Sequence, residues 1–131
     1  MEGYKATILE SSKELNVKDR IKFKNLTDAV GIDELSTEKE FNGEDFIINV
    51  DSYVVLQIHN EKSENKDYTV YLIIDKDGTV YKTGSESFYT QFVSMFDEMA
   101  LEDLIDEFAI KVIRQPSKNY TGKTFISCQI I

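Results

Sequence analysis

The sequence predicts a mainly β fold with one long helix. Apolar residues alternate with period two along four stretches, which is typical of half-buried strands. These stretches are Phe46–Asn60, Tyr68–Ile74, Phe108–Ile113 and Thr124–Ile131. Between the second and third stretches the apolar residues recur with helical spacing instead, at Phe88, Phe92, Met95, Phe96 and Met99.

A tight turn divides the middle of the predicted sheet. Asp75–Gly78 reads DKDG, and an Asp-Gly pair tolerates positive φ, so we expect a hairpin there. Thr79–Lys82 then returns as a short strand, and Ser85 is placed to cap the helix that follows. The first strand is about twice the usual length, so we expect a bend or bulge at Asp51–Ser52.

The resulting order is long strand, strand, strand, helix, strand, strand. An OB-fold has this order: it is a five-stranded barrel with a long, bent first strand and a helix between strands 3 and 4. We therefore predict one OB-fold-like domain over residues 1–131, with the barrel core in 46–131. An SH3-like barrel or an open α+β sheet would use similar pieces.

Residues 1–45 are predicted to form an N-terminal extension packed on the barrel. Tyr4, Ala6 and Ile8 alternate, and so do Ile21 and Phe23 in the RIKFK stretch, so each segment is consistent with a strand. Thr27–Val30 resembles a short helical turn capped by Thr27.

Composition places the chain among folded, cytoplasmic proteins. The 131 residues include a single cysteine, which fits a reducing compartment. No apolar run approaches the roughly 20 residues needed to span a bilayer, and the start shows no secretory signal. The formal net charge of −9 argues against nucleic-acid binding by bulk charge, but not against a local basic site.

The C-terminal hairpin carries such a basic site. From Ile110 to the C-terminus the chain has no Asp or Glu, and the loop at 115–123 is basic and aromatic. In an OB-fold, strands 2 and 3 and the loops 1–2 and 4–5 face oligonucleotides. Outward tyrosines would stack on unpaired bases while cations follow the phosphates. The predicted nucleic-acid-binding residues are Tyr53, Lys62, Lys66, Tyr71, Tyr81, Lys111, Arg114, Lys118, Asn119, Tyr120 and Lys123.

Three stretches resemble small phage-encoded single-stranded DNA-binding proteins. They are Ile58–Tyr68, Asp75–Phe88 and Arg114–Cys128, and the likeness is clearest in TGSESF and PSKNYTGK. The resemblance implies an OB-type fold, a role in phage replication or recombination in the infected cell, and contacts through Lys62, Lys66 and the final loop. Many such proteins end in an acidic tail that recruits partners, whereas this chain ends in SCQII.

Other chemistry finds little support in the sequence. There is no Walker loop, no Cys/His metal spacing, no nucleophile elbow and no dinucleotide fingerprint, so we predict no enzyme, cofactor or metal. His59 is the only histidine and is expected to be a surface or packing residue, while Cys128 is expected in the core. The DKDG stretch is no calcium loop, because Gly84 stands where the bidentate Glu belongs.

Two rival functions remain. The acidic stretch Asp97–Glu107 and the negative charge are compatible with a phage anti-defence protein that imitates nucleic acid and inhibits a host nuclease or immune complex. A plain assembly domain would pair through the edge of Thr124–Ile131. For the DNA-binding reading, the acidic composition predicts modest affinity per monomer, which leaves dimers or cooperative arrays open.

Overall fold

The computed structural model describes residues 3–26, 29–36, 45–116 and 124–131. Within these ranges the fold is mainly β, as predicted, with three α-helices. The strands are β1 (Tyr4–Ser11), β2 (Val30–Gly31), β3 (Phe46–Asn60), β4 (Asp67–Asp75), β5 (Val80–Thr83), β6 (Ala109–Pro116) and β7 (Thr124–Ile130). The helices are α1 (Val17–Asn25), α2, whose described part is 32–36, and α3 (Glu86–Leu101), followed by a 3-10 turn at Ile105–Glu107.

The chain divides into two compact units, each built from two segments. The first unit joins Met1–Val30 to Ser52–Gly84, and the second joins Gly31–Asp51 to Ser85–Ile131. The long strand β3 therefore contributes its first six residues to the second unit and the rest to the first. The bend predicted at Asp51–Ser52 and the single domain with its boundary at residue 45 both stay predictions.

The first unit is an antiparallel sheet in which β3 lies between β1 and β4, and β5 lies beyond β4. β1 pairs with β3 from Tyr4 opposite Asn60 to Ser11 opposite Val54, with a bulge between Ile8 and Glu10. One face of the sheet forms the unit's core, where the alternating apolar residues are buried as the sequence predicts. These are Val54, Leu56, Ile58, Val70, Leu72, Ile74 and Val80, joined by Phe23 of α1.

α1 corrects the prediction of a strand at residues 20–24. The side chain of Asn16 accepts a hydrogen bond from the Asp19 N–H (2.8 Å), which is the N-cap that begins a helix. Phe23 alone is buried on this helix, whereas Ile21 is exposed. The period-two alternation of Ile21 and Phe23 was therefore accidental, and the capping signal was the informative one.

The Asp75–Gly78 turn forms as predicted. Gly78 has φ of +94°, and its N–H donates to the carbonyl of Asp75 (2.9 Å). Asp75 and Asp77 fix the turn through side-chain acceptors, since Asp75 Oδ1 accepts from the Asp77 N–H (3.0 Å) and Asp77 Oδ1 accepts from the Thr79 N–H (2.8 Å). The turn therefore connects the end of β4 at Asp75 directly to the start of β5 at Val80.

The second unit contains the C-terminal hairpin that the sequence predicts. β6 pairs with the start of β3 through Phe46 opposite Val112, and with β7 through Val112 opposite Cys128. Cys128 is buried, which raises the pKa of its thiol to about 12, and its N–H donates to Gln91 Oε1 of α3 (3.3 Å). Alternation along Thr124–Ile131 puts Ile130 on the same face as Ile126 and Cys128, which are buried, but Ile130 is 51% exposed.

α3 packs its aromatic stripe into the same unit. Ser85 caps the helix as predicted, because its hydroxyl accepts from the Phe88 N–H (3.2 Å). Phe88, Phe92 and Phe96 are buried. The ring centroids of Phe92 and Phe108 are 5.9 Å apart, and those of Phe96 and Phe108 are 6.1 Å apart. Such aromatic pairs add stabilisation beyond the area they bury.

The N-terminal segment contributes more regular structure than an extension of strands and loops. The described ranges hold seven strands. β1 confirms the strand predicted from Tyr4, Ala6 and Ile8, whereas β2 is not among the predicted strands. Residues 27 and 28 of the predicted helical turn lie outside the described residues, and Val30 is in a strand. No helix in the described ranges is both long and apolar enough to cross a membrane.

Candidate nucleic-acid interface

Tyr71 and Tyr81 lie on one face of the β4–β5 pair. Tyr71 is directly opposite Thr83, and Tyr81 is directly opposite Ile73. Because opposite residues share a face and faces repeat every second residue, the two tyrosines are diagonal neighbours, with Cβ atoms about 7–8 Å apart. Both side chains are half-buried. Of the three predicted tyrosines that the structure describes, these two are partly exposed, whereas Tyr53 is buried.

The surroundings of Tyr81 are acidic. Burial raises the pKa of its phenol, and the charges of Asp75 and Asp77 raise that pKa further. These carboxylates belong to the adjoining turn, which they fix through the hydrogen bonds described above. A phosphate would be repelled at this end of the pair, so a nucleic acid that stacks on Tyr81 must carry its backbone away from the turn.

Tyr53 is not an outward stacking residue, which corrects the prediction. Its side chain is 4% exposed, and its hydroxyl donates to Glu10 Oε1 of β1 (3.1 Å). The Tyr53 backbone is bound to Ser12, whose hydroxyl accepts from the Tyr53 N–H (2.8 Å). In this part of β3 both faces are buried, from Ser52 to Leu56, so alternation no longer separates inside from outside.

The loop between β3 and β4 carries Lys62 and Lys66. Lys66 forms an ion pair with Glu61 (3.2 Å), whereas the Lys62 side chain is exposed. His59 lies between two carboxylates: Nδ1 is 2.8 Å from Asp67 Oδ1, and Nε2 is 2.5 Å from Glu61 Oε1. The hydrogen bonds to Asp67 and then to Glu61 raise the pKa of His59. His59 is partly exposed. Its hydrogen bonds to Glu61 and Asp67 hold the start of the loop close to the start of β4.

Lys111 and Arg114 of the second unit have partners. Lys111 Nζ lies 3.0 Å from Asp45 Oδ1. The Arg114 guanidinium donates to the Asp33 carbonyl (2.6 Å) and to the Ser36 hydroxyl (3.0 Å), so it ties β6 to α2. Arg114 therefore has a structural role here, which the sequence did not indicate because Asp33 is 81 residues away.

Part of the predicted interface cannot be placed. Lys118, Asn119, Tyr120 and Lys123 of the final loop lie outside the described residues. The predicted residues that are described fall into both units: Tyr53, Lys62, Lys66, Tyr71 and Tyr81 in the first, Lys111 and Arg114 in the second. Within the first unit, Tyr71 and Tyr81 lie on one face of the β4–β5 pair. Lys62 and Lys66 lie in the β3–β4 loop.

A basic surface on α1 was missed by the sequence reading. Val17–Asn25 holds four cations and one carboxylate, and Lys18, Arg20 and Lys22 are exposed. None of the described carboxylates forms an ion pair with the cations of this helix. The capping pattern Asn16-x-x-Asp19 would have identified the helix, and its composition would then have revealed the basic surface.

An acidic surface lies at the end of α3, where the sequence predicted an acid run. All six of its carboxylates are exposed: Asp97, Glu98, Glu102, Asp103, Asp106 and Glu107. Asp103 has φ of +57°, and the bonds from its N–H to the Ala100 carbonyl (3.1 Å) and from the Leu104 N–H to the Met99 carbonyl (2.8 Å) form a Schellman motif. Within this acidic surface, the side chain of Leu101 is 80% exposed.

Metal chemistry has no evident place in the described part of the chain. There, no group of three or more His, Cys, Asp or Glu side chains is arranged to hold a metal ion. The two carboxylates beside His59 contact different nitrogens of the imidazole ring, so the three groups form a hydrogen-bond network and not a shared coordination site.

Comparison of the chain with protein-family models, with curated proteins and with solved structures finds no significant match. The function is therefore inferred from the chain's own geometry and charge.

Proposed function

We propose that the protein binds single-stranded DNA without strong sequence preference, by stacking bases on tyrosine and contacting phosphates with Lys and Arg. The observation that supports this best is the pair Tyr71 and Tyr81, which share one face of neighbouring strands and are both half-buried and not fully buried. We also propose that β3 to β7 adopt an OB-like arrangement, for which the order of elements argues.

Stacking suits a ligand with unpaired bases. Each base stacked on an aromatic ring contributes about 1–3 kcal/mol and requires no particular base, because every base has a π-face. Asp75 and Asp77 lie near Tyr81, at one end of the tyrosine pair. Because their charges repel phosphate, the nucleic-acid backbone would run away from this turn. Lys62 and Lys66, the predicted cations of the first unit, are both exposed, and Lys66 is in an ion pair with Glu61.

The biological setting is part of the proposal. The resemblance to phage single-stranded DNA-binding proteins suggests replication or recombination in the cytoplasm of an infected cell, with protein partners in those processes. The acidic net charge of −9 opposes tight binding by one monomer. Dimers or cooperative arrays would offset that repulsion by combining several weak contacts.

The test is fluorescence anisotropy of labelled oligo-dT titrated with the protein at low and moderate salt, with a duplex of equal length as the control. We expect binding to the single strand that weakens with salt and is weaker still for the duplex. Absence of binding at low salt and high protein concentration would reject the proposal.

The acidic surface favours a second candidate, an inhibitor that presents carboxylates to a basic protein. Carboxylates at a helix C-terminus oppose the macrodipole, at about 0.3–1 kcal/mol each. Asp103 also occupies a left-handed position that favours glycine. An arrangement that lowers stability in two ways, around the exposed Leu101, is consistent with selection for binding.

The second candidate makes an opposite prediction about ligands. The protein should ignore oligo-dT and should bind a basic nuclease in a salt-sensitive manner. Glu98→Lys with Glu102→Lys should abolish that binding, whereas Glu61→Lys, a change in the β3–β4 loop, should leave it intact. Binding of oligo-dT unaffected by the Glu98 and Glu102 changes would speak against this candidate.

A further inference from the structure

The solvent side of α1 carries an apolar stripe between two rows of cations. Val17 and Ile21 are one helical turn apart and are 60% and 56% exposed. Lys18 and Lys22 follow them on one side of the helix, and Arg20 and Lys24 on the other, each pair at spacing i, i+4. Phe23 points the other way into the core. We call these four cations and two apolar residues the α1 basic surface.

The α1 basic surface places like charges close together along the helix. Like charges at i, i+4 destabilise a helix by about 0.2–0.5 kcal/mol per pair, and the surface contains two such pairs. The macrodipole disfavours Lys18 in the first turn but favours Asp19 there and Lys22 and Lys24 in the last turn, so it does not account for the whole pattern. No described carboxylate forms an ion pair with these four cations, so the described part of the chain leaves the repulsion within each row in place.

A polyanion would relieve this repulsion. Within each row the two cations are about 6 Å apart along the helix axis, so a ligand with closely spaced charges can neutralise several at once. The exposed Val17 and Ile21 add apolar area for sugars and for the unstacked faces of bases. A membrane surface fits less well, because the helix has nine residues and exposes two aliphatic side chains with no Trp or Phe among them.

We propose that the α1 basic surface is a binding site for the phosphate backbone of single-stranded nucleic acid, separate from the tyrosine pair. This inference rests on the proposed function, since it takes single-stranded DNA as the ligand. Neutralising a phosphate on a single strand changes the slope of log K against log salt by about 0.7 per contact. Three contacts from this surface therefore account for a slope of about 2.

The test compares two variants of equal net charge. Lys18→Gln with Arg20→Gln and Lys22→Gln removes three cations from the α1 basic surface. The matched control, Ser87→Glu with Thr90→Glu and Ser94→Glu, adds three carboxylates at exposed positions of α3. Both variants are checked by circular dichroism and urea unfolding, and both are titrated with labelled oligo-dT over a range of salt concentrations.

We expect the α1 variant to lose at least about tenfold in affinity near 0.1 M salt and its salt slope to fall by about 2. The control should lose less than about threefold, because it changes the net charge equally but keeps every cation of the α1 basic surface. A variant with Lys18→Arg and Lys22→Arg keeps both charges, so its salt slope should equal that of the wild type.

Other results would overturn the inference in distinguishable ways. Wild-type binding with an unchanged α1 variant, or with equal losses in both variants, would refute the α1 site while leaving the proposed function intact. Binding of phosphatidylserine vesicles that depends on Val17 and Ile21, with oligo-dT binding unaffected by the α1 changes, would assign the surface to membranes. No binding of oligo-dT by the wild type would reject the proposed function and the α1 site together.

Discussion

The hydroxyl of Tyr53 donates a hydrogen bond of 3.1 Å to the carboxylate of Glu10, and this contact fastens β1 to β3 beside a β-bulge. The bulge between Ile8 and Glu10 shifts the register by one residue, so Glu10 comes opposite Val55. Alternation assigns Tyr53 to the solvent face of β3. Because Glu10 of β1 contacts it, Tyr53 is instead buried and packs between the two strands.

Truncating the Tyr53 ring should therefore cost stability. Tyr53→Ala removes a buried aromatic side chain, and we expect a loss of about 3–5 kcal/mol in the free energy of unfolding. Tyr53→Phe keeps the ring and removes one hydrogen bond to an exposed carboxylate, so the loss should stay near 1 kcal/mol. Urea unfolding followed by circular dichroism measures both. Unchanged stability of Tyr53→Ala would show that the ring is not packed as described.

The aromatic cluster of the second unit offers a matched pair of phenylalanines. Phe92 is fully buried against Phe96 and Phe108, whereas Phe125 of β7 is 42% exposed. Phe92→Ala should lower the free energy of unfolding by about 3–5 kcal/mol, and Phe125→Ala by about 1 kcal/mol. Equal losses in the two variants, measured by urea unfolding, would contradict the burial of Phe92.

Stacking on the tyrosine pair predicts a specific loss of affinity. Tyr71→Leu and Tyr81→Leu should each weaken oligo-dT binding by about 1–3 kcal/mol, because each removes one stacking ring. Tyr68→Leu is the control: Tyr68 lies on β4 but on its other face, against the core of the first unit. Anisotropy titrations compare the three variants. Equal effects of all three would indicate a loss of fold and not of stacking.

The single histidine gives a pH-dependent contribution with a definite sign. Hydrogen bonds to Asp67 and Glu61 raise the pKa of His59 above 6.5, so its stabilisation is present below pH 6.5 and is lost as pH rises through the raised pKa. The hydrogen bond to His59 lowers the pKa of Glu61 below 4.5, so on the acid side the contribution is lost only as pH falls through that lowered value.

Proton NMR of the one imidazole should give a titration midpoint above 6.5. The difference in unfolding free energy between wild type and His59→Gln should be constant between about pH 5 and 6.5 and should shrink at higher pH. A midpoint at or below 6.5 would mean that the carboxylates do not hold the imidazolium in solution.

The end of α3 predicts a stabilising substitution. Asp103 has φ of +57° at the left-handed position of a Schellman motif, which glycine adopts without steric cost. Asp103→Gly also removes a carboxylate from the negative end of the helix. We expect a gain of about 1 kcal/mol, measured by urea unfolding, whereas Asp97→Gly, in the helical part of the same surface, should destabilise by a similar amount. A loss of stability in Asp103→Gly would contradict this description of the cap.

Local signals predicted most of the secondary structure. β3, β4, the DKDG turn, the Ser85 cap and the C-terminal hairpin follow from alternation, turn chemistry and capping, which act over a few residues. Where two local signals conflicted, as at α1, alternation over four residues was weaker than a cap at Asn16. The rule of reading caps before periodicity would have corrected that prediction.

Where both faces of a strand are buried, the sequence could not predict which of its residues are buried. Ile73 and Tyr53 have the parity of solvent-facing positions, yet both are buried. The sequence distinguishes an apolar face from a polar one only where water covers one side of the sheet. Polar residues such as Arg114 pose the same problem, since its partners in α2 are distant in sequence.

The sequence by itself determined the five strands from residue 46 onward, the long helix, the turn and the separation of an acidic from a basic segment, because these depend on neighbours along the chain. Only the tertiary structure decided which tyrosines are buried and which stay partly exposed, which cations are paired with carboxylates, and that the cations of a basic helix are exposed. The physical reason is that accessibility and ion pairing depend on which distant segments approach, and hydrophobic burial and strand register select those segments jointly.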